Sequence, residues 1–185
     1  MKRFSILFVL LYTVNSVPFT HWHNIEDDVV LFIDGEYKYN WFEAWNECAS
    51  KNMSLITLDS EQKEKMLTKL LREVFNSTRN LWLGANDLAE EGKFTWASTG
   101  AVFDYSNWSL NRSKNNWRVR NPDNYQNKEH CVHYWRESEF EWNDNVCGTK
   151  MGLICEDHHI TQLMKKDLKA LYVFLHKGIG RRGIM

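Results

Sequence analysis

The sequence predicts an α+β fold, and three observations carry that prediction. Two helix starts, each marked by a capping residue, occupy the first half of the chain, at Asn40 and Asp59. Short apolar runs bounded by turn residues follow at 81–87, 94–96, 102–108, 131–135 and 153–155. A long, polar, strand-poor loop region lies among the later runs. Helices grouped first and short strands after them are the pattern of α+β domains, since strands alternating with helices would instead give a parallel sheet.

Taken in order, 29–33 reads as a strand, closed by a turn at Asp34-Gly35-Glu36. Asn40-Trp41-Phe42-Glu43 has the form of a capping box, in which Asn40 and Glu43 satisfy each other's free backbone N–H groups. It opens a helix that runs to about Lys51, with Trp41, Trp45 and Cys48 on one face. Residues 54–58 read as a short apolar strand. Asp59 with Gln62 caps a second helix that turns Met66, Leu70, Leu71 and Phe75 inward. After the later short strands, Ile160, Leu163, Met164, Leu168, Leu171, Tyr172 and Leu175 recur at helical spacing, with Gly178 as a stop. Lys165, Lys166, Lys169 and Lys177 lie on the other side. No internal repeat or low-complexity segment interrupts the chain.

A chain of 185 residues allows one domain with appendages. Met1-Lys2-Arg3, the apolar run 4–12 and the small or apolar residues at Val14-Asn15-Ser16 read as a signal peptide, residues 1–16. The apolar run falls far short of the roughly 18 residues that a membrane span needs. The mature protein is therefore expected to be secreted and extracellular. Four cysteines in an exported chain imply two disulfides, and the sequence alone leaves three pairings open. Sequons stand at Asn52, Asn76, Asn107 and Asn111, of which Asn107 and Asn111 are the favoured glycosylation positions, in a polar, loop-like stretch.

Charge is unevenly spread. The tail 157–185 holds six Lys/Arg and two Asp, about +4. Without the tail and the two basic residues of the leader, 15 basic residues face 22 acidic ones, a net of −7. An acidic body argues against a nucleic-acid partner, which needs a basic face. The nine tryptophans read as core and loop-packing residues. The tail reads as a helix packed on the domain or on a second copy of the chain, or as an amphipathic helix lying on an anionic membrane.

The densest chemistry lies between Asn121 and Asp144. Asn121-Pro122-Asp123 is followed by Glu129, two residues before Cys131, and then by Trp142-Asn143-Asp144, three before Cys147. Five side chains thus offer carboxylate or carboxamide oxygens, with no soft ligand interleaved among the five. Calcium takes six to eight oxygens at about 2.3–2.6 Å. The order and the spacing together closely resemble the calcium and sugar site of the C-type lectins. Leu81-Trp82-Leu83-Gly84 is similar to that family's Trp-Ile-Gly-Leu strand, and the resemblance extends over 30–156 as a C-type lectin-like domain, with secreted, insect-like, galactose-type members as the nearest in kind.

The resemblance implies the rest. It selects Cys48 with Cys155 and Cys131 with Cys147. It makes Asn121, Asp123, Glu129, Asn143 and Asp144 the ligands of one Ca2+, with Asp144 also able to offer its backbone carbonyl, and a cis bond before Pro122 aims the first pair. A vicinal diol of the sugar completes the ion's shell, with Asn121, Asp123, Glu129 and Asn143 also meeting its hydroxyls. Galactose-type members usually read Gln-Pro-Asp and mannose-type ones Glu-Pro-Asn. Asn-Pro-Asp here keeps amide-first, acid-third polarity with the first side chain shorter by one C–C bond, about 1.5 Å. Tyr125 stands where galactose-binding relatives often place a stacking tryptophan. The resemblance also implies an auxiliary metal site at Asp87, Glu91 and Asn124, sharing Glu129, against the plainer reading of a solvated acidic turn.

Other signals are weaker. His21, His23, His158 and His159 read as solvated terminal histidines. Paired carboxylates serve hydrolysis in glycosidases, yet amides and acids alternating about a proline suit ligation better, so no catalytic residue and no enzymatic activity are expected. Two functions compete: a secreted calcium-dependent galactose-type lectin recognising glycans on microbes or host cells, as in innate immunity, and a lectin-like domain that binds a protein with weak or no calcium dependence.

Overall fold

A computed structural model of the protein describes residues 20–25, 29–75, 79–112 and 118–179. The leader 1–16, the Asn76 sequon and Ser113 of the Asn111 sequon lie outside them. The elements in chain order are β1 (Thr20–Ile25), β2 (Val29–Tyr39), α1 (Trp41–Ser50), β3 (Met53–Leu55), α2 (Glu61–Val74), β4 (Leu81–Asn86), β5 (Thr95–Trp96), β6 (Leu110–Arg112), β7 (Arg118–Arg120), β8 (Cys131–Trp135), β9 (Glu141–Asn145), β10 (Met151–Asp157) and α3 (His159–Ile179). The main sheet runs β1-β2-β10-β4-β8-β9, with β3 beside β10 and β5 beside β4, and β6-β7 forms a separate hairpin. This is the α+β class that the sequence predicts. Within this sheet β10 and β4 run parallel.

Asn40 caps α1 through the expected box: its side chain accepts the Glu43 N–H, and Glu43 accepts the Asn40 N–H in return. Trp41, Ala44 and Cys48 face inward, at i, i+3 and i+7. Trp45, expected beside them, is 46% exposed, because its place on the helix edge leaves the core face. For α2 the cap is Ser60, one residue after the Asp59 expected, and its hydroxyl accepts the Lys63 N–H. The inward face is accordingly Glu64, Leu67, Thr68 and Leu71, while Met66 and Leu70 are half-buried.

Three expected boundaries move for identifiable reasons. Asp34-Gly35-Glu36 is not a turn; β2 continues through it to Tyr39. The ladder with β10 shifts register between Met151 and Leu153 instead, where a Cβ on Gly152 would lie 2.5 Å from the Asp34 carbonyl oxygen. Two backbones at that spacing need glycine, and the irregularity absorbs the turn signal. The strand expected over 54–58 is β3 alone, with Ile56–Leu58 buried as irregular chain. α3 runs through Gly178 to Ile179, since a single helical glycine weakens a helix by only about 1 kcal/mol.

The expected strand at 102–108 is reduced to bridges of Val102 with Thr95 and of Trp108 with Trp142. Aromatic packing holds this stretch in place of a ladder. Phe94, Trp96, Phe103 and Trp108 surround Trp142 and one another with ring centroids 4.6–6.0 Å apart. Such pairs add about 0.5–1.5 kcal/mol each beyond area burial. Around them, Leu67 and Leu71 of α2 pack on Ile33, Ile154, Leu83 and Tyr134 in one core, while Trp41, Ala44 and Cys48 of α1 pack on Trp82 and Leu153 in a second. Cys48–Cys155 ties α1 to β10, and Cys131–Cys147 ties the start of β8 to the turn after β9, the pairings the family resemblance implies.

The tail helix bonds Glu156 and Asp157 through Gln162 and Lys165 in its first turns but does not bury its apolar residues on the domain. Its Leu163, Met164, Leu168, Leu171, Tyr172, Phe174 and Leu175 are exposed, which removes that one of the expected alternatives. No helix among the described residues is long and apolar enough to cross a membrane. At the other end, β1 pairs residue by residue with β2, so the sheet begins before Val30, and His21 and His23 stand in a strand rather than a loose terminus.

Candidate functional site

β9 is the floor of the site. Its residues alternate, with Trp142 and Asp144 buried and Glu141, Asn143 and Asn145 on the other, half-buried face. Trp142 anchors the strand under the loops: its N–H donates to the Asn107 carbonyl, and its carbonyl accepts the Ser109 N–H. Ser109 in turn accepts the Asn121 N–H on its carbonyl, at 3.2 Å. The loop that carries Asn121 is therefore laid along the loop that Trp142 fixes.

The Asn121–Pro122 peptide is cis. Immediately after it, the Asp123 N–H donates to Asp144 Oδ1 (3.2 Å) and the Asn124 N–H to Asp144 Oδ2 (2.7 Å). The fully buried Asp144 carboxylate thus accepts two backbone donors and fixes where the Asp123 side chain begins. Asn124 has a left-handed backbone (φ 41°), and its Oδ1 accepts the Glu129 N–H at 3.0 Å. That closes the chain between Asp123 and Glu129 into a short loop with Tyr125 at its tip, 63% exposed.

These bonds bring three carboxylates together. Oxygens of Asp123, Glu129 and Asp144 all lie within 4.8 Å of one another. Burial first, then the charges of Asp144 and Asp123, push the Glu129 carboxyl up to about 7. Burial also raises Asp144, against the lowering effect of the Asn124 and Asp123 N–H groups. Carboxylates crowded at this spacing form a site that a divalent cation relieves.

The two carboxamides border the cluster. Asn121 is buried and its Nδ2 donates to Ser109 Oγ at 2.6 Å. Asn143 pairs across the ladder with His133, its Nδ2 lying 3.3 Å from His133 Nε2 and donating to the Asp144 carbonyl at 2.6 Å. Burial lowers His133 to about 4, so its imidazole is neutral at neutral pH. Both amide nitrogens are thereby committed, and neither Oδ1 accepts a hydrogen bond among the described residues. Ser109 and His133 are positioning residues that sequence reasoning passed over. In the sequence Ser109 is only the third residue of the Asn107 sequon, and His133 only a member of the apolar run 131–135.

A second group is Asp87, Glu91 and His130, whose ligand atoms also fall within 4.8 Å of one another. Asp87 and Glu91 are therefore placed together as expected, but the third member is His130. Asn124, the expected companion, is occupied with the Glu129 N–H. The neighbouring residues Glu129 and His130 serve the two groups separately. The adjacency was visible in the sequence, where Glu129-His130 precedes Cys131.

Of the sequons, Asn52 is exposed in the turn after α1, at φ 57°. Asn107, one of the two favoured positions, is half-buried and its Nδ2 donates to Glu64 Oε1 at 3.2 Å. Asn111 stands in β6 rather than in a loop.

Residues 37–157 match the model of the lectin C-type domain. The chain is 37% identical over 175 residues to lectin subunit alpha of Sarcophaga peregrina, an alignment covering 91% of this chain and 58% of that relative's length. It is 34% identical over 157 residues to C-type lectin 16 of Aedes aegypti, covering 81% of this chain and 96% of that one. In structure it is similar to the mouse scavenger receptor C-type lectin carbohydrate-recognition domain, with a TM-score of 0.61 at 23% identity, over 75% of this chain and 95% of that one. The chain belongs to the C-type lectin domain family, as an insect-type member. It is accordingly a lectin domain and not an enzyme.

Proposed function

We propose that this protein is a secreted, calcium-dependent lectin of galactose-type preference that recognises glycans on microbes or host cells. The carrying observation is the Asp123–Glu129–Asp144 cluster, whose oxygens converge within 4.8 Å beside the cis Asn121–Pro122 bond. Calcium sits on those three carboxylates, and the Oδ1 atoms of Asn121 and Asn143 add neutral oxygens toward the six to eight it needs. The hydroxyls of a vicinal diol supply the remainder. Each hydroxyl donates to a carboxylate while its oxygen ligates the ion.

Galactose-type preference rests on the order amide first, acid third at Asn121 and Asp123, and on the exposed ring of Tyr125 at the loop tip. Sugar C–H faces pack on such a ring. Export rests on the leader and on two disulfides, which persist in oxidising compartments. Among the glycosylation positions, Asn52 is the most accessible of those whose side chains are described.

The test is retention on a galactose resin in calcium and release by a chelator, together with a calcium titration of thermal unfolding. Calcium at a hundredfold excess over its dissociation constant stabilises by about 2.7 kcal/mol when it binds only the folded form. Glu129→Gln and Asp144→Asn each lose most of that gain. A melting curve unchanged by millimolar calcium would instead support the lectin-like domain that binds a protein.

A further inference from the structure

Asp87, Glu91 and His130 differ in chemistry from the oxygen cluster beside them. Asp87 follows β4 and His130 precedes β8, and the Asp87 N–H donates to the His130 carbonyl at 3.1 Å. The two residues are therefore held opposite each other by backbone. Asp87 is only 2% exposed, and its Oδ2 is fixed by the Gly92 N–H at 2.8 Å, which leaves Oδ1 aimed at the imidazole. His130 Nδ1 lies 3.0 Å from Asp87 Oδ1 and 3.3 Å from Glu91 Oε2. The half-exposed Glu91 closes the third side from the 87–93 turn.

These separations suit an ion. Ligands about 2.0–2.2 Å from a zinc ion stand roughly 3.0 Å apart along an octahedral edge and roughly 3.4 Å along a tetrahedral one. The donor set also discriminates. Imidazole with carboxylate suits zinc and its transition-metal neighbours, whereas calcium wants oxygens only and more of them. The carboxamide oxygen that would add to the oxygen count, Asn124 Oδ1, is held by the Glu129 N–H.

We infer that Asp87, Glu91 and His130 form a second metal site selective for a borderline divalent cation such as Zn2+, separate from the calcium cluster and independent of the sugar reading. Asp87 Oδ1 and His130 Nδ1 are its inner ligands, Glu91 its outer one, and water completes the shell.

The experiment uses the calcium-free full chain with His21, His23, His158 and His159 changed to Gln, so that these histidines do not capture metal. Zinc chloride titrated by calorimetry is expected to bind with one equivalent, and Co2+ to develop visible d–d absorption. His130→Gln and, at its exposed position, Glu91→Gln should each weaken zinc by more than about tenfold. His130→Asp should convert the site toward calcium. Galactose-resin retention in saturating calcium should persist in His130→Gln, so a failure of this site and a failure of the calcium cluster are read separately. No zinc binding, or zinc binding unchanged in both single variants, would overturn the assignment and leave His130 as a ring hydrogen-bonded to Asp87. Zinc displaced by equimolar calcium would overturn it in favour of an ordinary oxygen site.

Discussion

The indole Nε1 of Trp142 donates to Glu64 Oε2 at 3.1 Å, joining α2 to the strand that carries Asn143 and Asp144. Asn107 Nδ2 reaches the other oxygen of the same carboxyl, so Glu64 is the buried polar knot under the loops. Burial pushes Glu64 up to about 7, from an ordinary 4.5, against the lowering effect of those donors. The folded state then holds this proton more tightly than the unfolded chain does. Its contribution to stability is present below about 4.5 and is lost as pH rises through about 7. Urea unfolding of calcium-free protein should show wild type losing on the order of 3 kcal/mol relative to Glu64→Gln across that window, as an upper figure. A difference that stays constant with pH would contradict this.

Gly84 in β4 is expected to tolerate no side chain. A Cβ there would lie 2.6 Å from the Leu55 carbonyl oxygen and 3.0 Å from that of Ile56. Both are backbone atoms, and the Gly84 N–H itself donates to the Ile56 carbonyl, so neither strand can give way cheaply. Gly84→Ala should therefore destabilise by about 1–3 kcal/mol in denaturant unfolding. Gly148→Ala, where nothing lies within 4 Å of the added Cβ, is the control expected to change little.

The Cys131–Cys147 bridge spans 16 residues of sequence and holds the turn after β9 against the start of β8. Replacing both cysteines with serine should cost about 3 kcal/mol, the loop-closure figure for a ring of this size. Because Glu129 lies two residues before Cys131 and Asp144 lies in β9, calcium affinity should fall along with stability. Calorimetry at a temperature where the variant is still folded separates the two effects.

Sugar choice should follow the loop after the cis bond. Galactose or N-acetylgalactosamine should compete for binding better than mannose. Asn121→Glu with Asp123→Asn reverses the donor and acceptor order around the diol and should move preference toward mannose. Tyr125→Ala should cost galactose about 1 kcal/mol and mannose much less. A glycan-binding assay that finds mannose preferred by the unmodified protein would remove the galactose reading and leave the lectin family intact. A single exposed site gains little alone, so tight binding should appear only on multivalent glycans.

Some of this protein is legible as sequence because the signal is local. Asn40 and Glu43 write the first helix start into four consecutive residues, and the structure uses both side chains as the pattern requires. The apolar run at 131–135 becomes β8 without change. Asp123, Glu129 and Asp144 announce themselves by chemical type and by their spacing from two cysteines, and the fold brings their oxygens together.

Other features depend on which distant chain arrives. Whether Asp34-Gly35-Glu36 turns or continues is decided by β10 lying against it closely enough to need Gly152. Whether Asn124 or His130 joins Asp87 and Glu91 is decided by the pairing that sets β4 beside β8, since Asn124 is spent on Glu129. Ser109, His133 and Glu64 carry no motif of their own; each becomes part of the site's support by meeting Asn121, Asn143 or Trp142 across 12, 10 and 78 residues of chain. Periodicity and capping chemistry act within a few residues, so the sequence alone determined the helices, the strand β8 and the types of the ligands. Burial and hydrogen-bond partners are long-range quantities, and only the packed tertiary structure decided which atoms those ligands present.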